Sequence, residues 1–366
     1  MRSTLSVDDH PEQGGRYGER VTNDAGPASG DTTAATGPDS WPAIARGARL
    51  HFVSGKGGTG KTTVAAALAI ALASGGKKVL LVECEGRQGL ARLLDQPPLP
   101  PTDQLVVNAP NDGEVWALSI DIEYALLEYL DMFYNLGFAS KAIRKVGAID
   151  FVTTVAPGLR DVVITGKIKE RVIAADKAGR QLYDYIVVDS PPTGRIGNFL
   201  DVTSAMSDLA KTGPIRNQSE GVVKLLHSDQ TVIHLCTLLE AMPIQETAEA
   251  VDELVGKDLN IGAIFVNRER PDYLPAADLD EVAEGHIDSA RVAAELAEAG
   301  LDAAGDDLDG LMTETVDYAV GVQAQQVAAA QLDDIDAAKI ALPDVDDTID
   351  LGALFTLARA LEEAGV

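Results

Sequence analysis

The sequence predicts an α/β fold, a mainly parallel, twisted sheet covered by helices on both faces and carrying a small helical insertion. Three observations predict it. Short runs dense in branched apolar residues recur at Leu50 to Ser54, Val79 to Val82, Val115 to Ile120, Tyr185 to Val188, Val232 to Cys236 and Ile261 to Val266. These runs hold few polar residues, as strands buried on both faces do, and lack the alternation of a half-exposed strand. Longer Ala- and Leu-rich stretches separate them and supply the crossovers that parallel strands need.

Residues 1–47 are rich in Gly, Ser, Thr, Asp, Asn and Pro and lack a sustained apolar period. Such a stretch cannot bury enough surface to offset the entropy of ordering, so a disordered tail is expected there. A single folded domain is expected over 48–366. After the first strand, Lys61 to Ser74 reads as a helix stopped by Gly75-Gly76. Residues 199–231 form the short insertion, and 268–340 an acidic region in which Leu279 to Ala299 and Leu311 to Ile340 carry apolar residues at loose helical spacing. Ile349 to Ala364 reads as a final helix on the sheet.

The chain has 366 residues, 46% of them hydrophobic, with 30 basic against 57 acidic side chains, a net charge of −27. From Arg268 to the C-terminus there are 5 basic and 24 acidic residues. Charge of that sign repels phosphates and anionic lipid, so nucleic acid is not an expected partner. The longest apolar run, Val64 to Ala73, is too short to span a bilayer, and the start MRSTLSVDDH has no apolar signal region. A cytoplasmic protein with no direct membrane insertion is therefore expected. Two cysteines, Cys84 and Cys236, cannot build a disulfide framework or a four-thiolate metal site and read as inert core thiols. The five scattered histidines read as surface or satisfied core imidazoles.

Directly after the first strand comes Gly55-Lys56-Gly57-Gly58-Thr59-Gly60-Lys61-Thr62-Thr63. This is the GxxxxGKT phosphate loop of P-loop NTPases, in the strand-to-helix setting the pattern requires. Gly57, Gly58, Thr59 and Gly60 let backbone N–H groups close round phosphates, and the helix starting at Lys61 adds the positive end of its dipole. Lys61 would neutralise phosphate charge, the Thr62 hydroxyl would hold Mg²⁺, and Thr63 completes the expected nucleotide-binding set. ATP and Mg²⁺ are the expected cofactors. Asp189 ends the apolar run Tyr185 to Val188 opposite this loop, where a carboxylate can orient the waters of the metal.

Lys56, a second lysine just after the first glycine, resembles the deviant loop of the MinD, partition, nitrogenase-iron-protein and ArsA group of ATPases. The resemblance implies a lysine that reaches the nucleotide of the other subunit of a face-to-face dimer. Asp189-Ser190-Pro191-Pro192-Thr193-Gly194-Arg195 resembles the DTAPTGH switch of the ArsA arsenite-pump and guided-entry ATPases, with Arg195 where the family usually has histidine. Glu83-Cys84-Glu85-Gly86-Arg87-Gln88-Gly89-Leu90 falls where that family carries DPAHSL. The resemblance places Glu85 as the residue that positions or deprotonates the attacking water. Glu for Asp moves the carboxylate by about 1 Å, enough to matter to attack geometry; an ion pair with Arg87 or Arg92 is the alternative use of Glu85.

Asn267, at a strand end, matches the family asparagine whose amide reads adenine, and Pro343 falls near the loop that flanks the base. With one phosphate loop per chain, the resemblance implies a homodimer or a heterodimer with a paralogous subunit. It implies a Mg-dependent ATPase that couples switch movement to a client or membrane-associated protein. A non-hydrolysing scaffold subunit paired with an active paralogue is the alternative. A membrane-positioning ATPase would need a basic amphipathic C-terminus, which LFTLARALEEAGV does not supply, and a cluster-bearing reductase would need two well-placed cysteines after the switches. The few methionines and the short 199–231 interval argue against a large apolar client groove; Leu209, Ile215, Val222, Val223, Leu225 and Leu226 could line a small one, but burial against the body is expected.

Overall fold

The computed structural model describes residues 40–125, 128, 157–201, 214–301, 303–345 and 349–366. Eight strands form one sheet in the order β3-β4-β2-β5-β1-β6-β7-β8. They are β1 (Leu50–Gly55), β2 (Lys78–Glu83), β3 (Gln104–Ala109), β4 (Gly113–Ser119), β5 (Tyr185–Asp189), β6 (Thr231–Thr237), β7 (Ile261–Glu269) and β8 (Ala338–Pro343). All neighbours pair parallel except β3 and β4, an antiparallel hairpin at one edge. The hairpin turns through Asn111 and Asp112, both left-handed, a conformation that Asn and Asp tolerate.

The helices are α1 (Ala43–Gly47), α2 (Lys61–Ala73), α3 (Gly89–Leu93), α4 (Pro157–Ile173), α5 (Thr193–Leu200), α6 (Pro214–Leu226), α7 (Ala241–Val255), α8 (Ala276–Ala283), α9 (Ser289–Glu298), α10 (Asp306–Asp333) and α11 (Leu351–Glu363). Successive side chains of a strand point to opposite faces, and β1 shows the result. Leu50 and Phe52 join a core made with α4, α5, α6 and α7, while Val53 joins a second core with α1, α2 and α11. α2 is buried from Val64 to Ala73. Its alanines let the sheet on one side and α11 on the other approach closely, the situation of a helix that is apolar all round.

All six expected strands are present, as are the helix after the phosphate loop and the closing helix. Four features correct the expectations. Trp41 to Gly47, placed in the tail by composition, is folded: Trp41 is 2% exposed, its N–H donates to the Ala364 carbonyl at 2.9 Å, and Ala45 is buried. One aromatic ring burying about 150–250 Å² outweighs the polar company it keeps. The helix expected through Ile340 ends at Asp333, and Ala338–Pro343 instead forms edge strand β8 beside β7. The stretch Leu279 to Ala299 is two helices, separated at Gly285, whose φ of +79° no helix accommodates. Strand β3 had no counterpart in the apolar pattern, because its Leu105 and Asn108 face solvent. The expected insertion lies partly outside the described residues, Leu209 and the side chain of Ile215 with it; within it, α6 buries Val222 and Leu226 against the body and leaves Val223 and Leu225 half-buried. No helix among the described residues is long and apolar enough to cross a membrane.

Candidate nucleotide site

The site lies where β1, β2, β5, β6 and β7 end, the carboxyl edge at which open α/β sheets place ligands. β1 delivers the chain into the loop at Gly55, where a Cβ would collide with the Cys236 carbonyl of β6. Thr59 is buried and turns the loop back, its hydroxyl donating to the Lys56 carbonyl at 2.9 Å. Gly60, left-handed at φ +85°, caps α2 without a side chain, and a Cβ there would strike the Asn267 amide. Gly57 and Gly58 are exposed and Lys61, Thr62 and Thr63 half-buried. The first turn of α2 carries no acidic residue, so its amide dipoles face the loop uncompensated.

Thr62 and Asp189 meet as expected: the Thr62 hydroxyl donates to Asp189 Oδ2 at 2.8 Å. Burial pushes the Asp189 carboxyl up to about 6, opposed by the Thr62 hydrogen bond and by Lys61, and assisted by Glu83 and Glu85. Asp189 Oδ1 is buried and has no hydrogen-bond partner. A hydroxyl and a carboxylate with one orphaned oxygen are the hard-oxygen groups that Mg²⁺ takes, so these two residues fit the metal.

The loop after β2 is shaped by Glu83, a residue the sequence reading passed over. Its buried carboxylate accepts from the Ser119 hydroxyl at 2.7 Å and from the N–H groups of Gln88 (3.1 Å), Gly89 (2.6 Å) and Leu90 (3.4 Å). The signal was available, since a carboxylate closing the apolar run Val79 to Val82 is the same pattern that singled out Asp189. Glu85 lies further along, 13% exposed, with one oxygen 3.6 Å from Arg87 Nε and the other 3.6 Å from Arg195 Nη1. The ion pair weighed at the outset with Arg87 is present; the pair with Arg195 was not foreseen.

Lys56 is held within its own chain, its Nζ 2.8 Å from Glu246 Oε1 on α7. The other Glu246 oxygen accepts from the Thr193 hydroxyl on α5 at 3.4 Å. Asn267 is buried, and its amide nitrogen donates to the Thr59 carbonyl at 2.9 Å, which Cys236 Sγ also approaches at 3.0 Å. The residue expected to meet a base thus also braces the phosphate loop. Pro343 pairs with Glu269, two residues beyond Asn267, and lines a cleft of about 270 Å³ with Glu269, Ile340 and Ala341.

Both thiols are buried, and burial raises Cys84 well above its ordinary range and Cys236 to about 12. Protonated thiols are neither nucleophiles nor metal ligands. Among the described residues no group of three His, Cys, Asp or Glu is arranged to hold a metal ion.

Residues 48–228 match the family described as anion-transporting ATPase. The chain is 56% identical to the ATPase BagA of Mycobacterium tuberculosis over 326 residues, which span 89% of this chain and 96% of that protein. It is 24% identical to the ATPase GET3 of Kluyveromyces lactis over 60% of this chain and 72% of the relative. With an ASNA1 ATPase homolog of Entamoeba dispar it shares 23% identity over 60% and 76% of the two chains. A complete phosphate loop, the Thr62 and Asp189 contact behind it and a relative matched almost end to end agree: the chain belongs to the anion-transporting ATPase family, and its chemistry is that of an ATPase.

Proposed function

We propose that the protein hydrolyses Mg-ATP as a closed dimer and converts switch movement into a change of its helical surface that a client or partner protein reads. The observation that carries the reading is the contact of Thr62 with Asp189 beside a buried, orphaned Asp189 Oδ1. Thr62 would hold Mg²⁺ and Asp189 would hold it through water; the ion supplies charge neutralisation on the phosphate oxygens. The N–H groups of Gly57 to Thr63 and Lys61 bind the phosphates and spread the charge that grows on the transferring phosphoryl group. Glu85 orients the attacking water and accepts its proton. Asn267 presents the oxygen end of its amide to adenine while the nitrogen end stays on Thr59, and Pro343 packs on the base.

Lys56 must leave Glu246 to serve a nucleotide across a dimer, which ties dimer closure to α5 and α7 through Thr193 and Glu246. α5 also packs on α4, so displacement at the switch after β5 is transmitted to the helices of that face. A scaffold reading, binding without turnover beside an active paralogue, draws on one observation: both Glu85 oxygens already face guanidinium groups.

Steady-state ATP hydrolysis across a hundredfold range of protein concentration, with Lys56→Ala and Asp189→Asn alongside, tests the proposal. Specific activity should rise with concentration and fall in both variants. ATP binding without turnover would establish the scaffold reading, and activity independent of concentration would remove the dimer.

A further inference from the structure

Arg195 stands on the first turn of α5, its backbone fixed by an N–H bond to the Pro192 carbonyl at 2.8 Å. Its Nη1 lies 3.6 Å from Glu85 Oε1, bridging the loop after β5 to the loop after β2. Arg87, which faces the other oxygen, is 75% exposed and belongs to the same loop as Glu85, so it cannot fix that loop to anything else. Arg195 also faces Asp161 of α4, where it and Arg160 counter the rise that burial imposes on the carboxyl. Asp161 Oδ1 and Arg160 Nε are both buried without a hydrogen-bond partner. Arg195 therefore lies beside Glu85, the residue assigned to the attacking water, and within electrostatic reach of the half-buried Asp161 on another element.

We propose that Arg195 is a positioning residue for hydrolysis, acting through Glu85: it aims the Glu85 carboxylate, and it makes the loop after β2 follow α5. This rests on the assignment of Glu85 above. A carboxylate only 13% exposed is costly to leave unpaired. The Arg195 guanidinium, 48% exposed, answers that cost through a single approach of Nη1 to Oε1 at 3.6 Å, and its charge biases where that oxygen lies. Arg195 needs no contact with the substrate for this. Its removal leaves the phosphate loop, Thr62 and Asp189 untouched, so nucleotide binding should survive while turnover falls.

The test is steady-state hydrolysis by the full chain and its variants Arg195→Ala, Arg195→Lys, Glu85→Gln and the double variant Arg195→Ala/Glu85→Gln. Binding of a fluorescent ATP analogue is measured in each. Arg195→Ala should lower kcat about tenfold or more, the scale of losing a residue that orients another, with KM and analogue affinity within about twofold. Arg195→Lys should recover part of the loss. In the Glu85→Gln background, Arg195→Ala should cost nothing further, as required of residues that act as a unit. Full turnover in Arg195→Ala beside an impaired Glu85→Gln would overturn the positioning role while leaving Glu85 in place. Full turnover in Glu85→Gln would overturn the assignment of Glu85 itself. Additive losses, or loss of analogue binding in Arg195→Ala, would overturn action through Glu85, and no turnover by the wild-type chain would overturn both readings.

Discussion

Two histidines from neighbouring strands make the protein sensitive to mild acid. His51 and His234 are fully buried, with His51 Nδ1 3.1 Å from His234 Nε2. The Ala263 N–H donates to His234 Nδ1 at 3.0 Å, so the proton of that ring is on Nε2 and points at His51 Nδ1. His51 must then carry its own proton on Nε2, which donates to the Ala48 carbonyl at 3.2 Å. Every nitrogen is satisfied with both rings neutral, and an added proton would put two donors face to face. Trp41 stacks over the pair, 5.0 Å from the His234 ring, and excludes water.

Burial accordingly pushes His51 down from 6.5 to about 4, and burial with the His51 neighbour pushes His234 well below its ordinary range. A base depressed in the folded state makes a contribution that is whole above its unfolded value and is lost as the pH falls below about 6.5 toward the folded value. At about 1.4 kcal/mol per unit, the shift of His51 alone corresponds to about 3 kcal/mol in total, of which about 2 kcal/mol is lost between pH 7 and pH 5. Asp189 acts in the opposite sense, since a carboxyl raised to about 6 gains stability as the pH falls through that value. The comparison must therefore be between wild type and His51→Gln, in which Asp189 is common. Urea unfolding followed by tryptophan fluorescence at both pH values should show the wild type losing about 2 kcal/mol more than the variant. Equal losses would refute the neutral-pair assignment.

Trp41→Ala should cost about 3–5 kcal/mol in the same unfolding assay, as a buried aromatic ring does; a change under about 1 kcal/mol would return residues 41–47 to a tail. Glu83→Ala strips one hydroxyl and three amides of their acceptor, and a loss of about 3 kcal/mol or more is expected, with faster proteolytic cleavage in the loop after β2. Asn267→Ala removes the donor to Thr59 beside Gly60, so ATP affinity measured by calorimetry should fall about tenfold, one lost hydrogen bond at 1.4 kcal/mol, while unfolding stability moves less. Leu68→Ala, in the middle of α2, should cost about 2–5 kcal/mol, as a fully buried leucine does.

The parallel sheet was legible because its central strands are buried on both faces and read as unbroken apolar runs, with the phosphate loop set by contiguous residues. The edge strands were not. Gln104–Ala109 is half-exposed, and Ala338–Pro343 follows an acidic helix closely enough that its apolar residues continue the helical spacing. Asp189 was legible for its place at a strand end, and Glu83 shares that signal. Pairings across the fold carried none: Lys56 and Glu246 are brought together only by the docking of α7, and Arg195 reaches Glu85 only because β2 and β5 are neighbours. Trp41 was hidden by the composition around it, since one ring can order a segment whose average says otherwise.

The ten consecutive buried residues of α2 make that helix a stator. Wedged between the sheet and α11, it has no free side on which to slide or turn, so the helix start at Lys61 is anchored to the core. The switch movement proposed above would then fall on the loop after β2 and the short helix α5 that follows β5. In the proposed mechanism that movement would leave the molecule through the face bearing α4, α5 and α7, with the face bearing α2 and α11 as the frame against which it pushes.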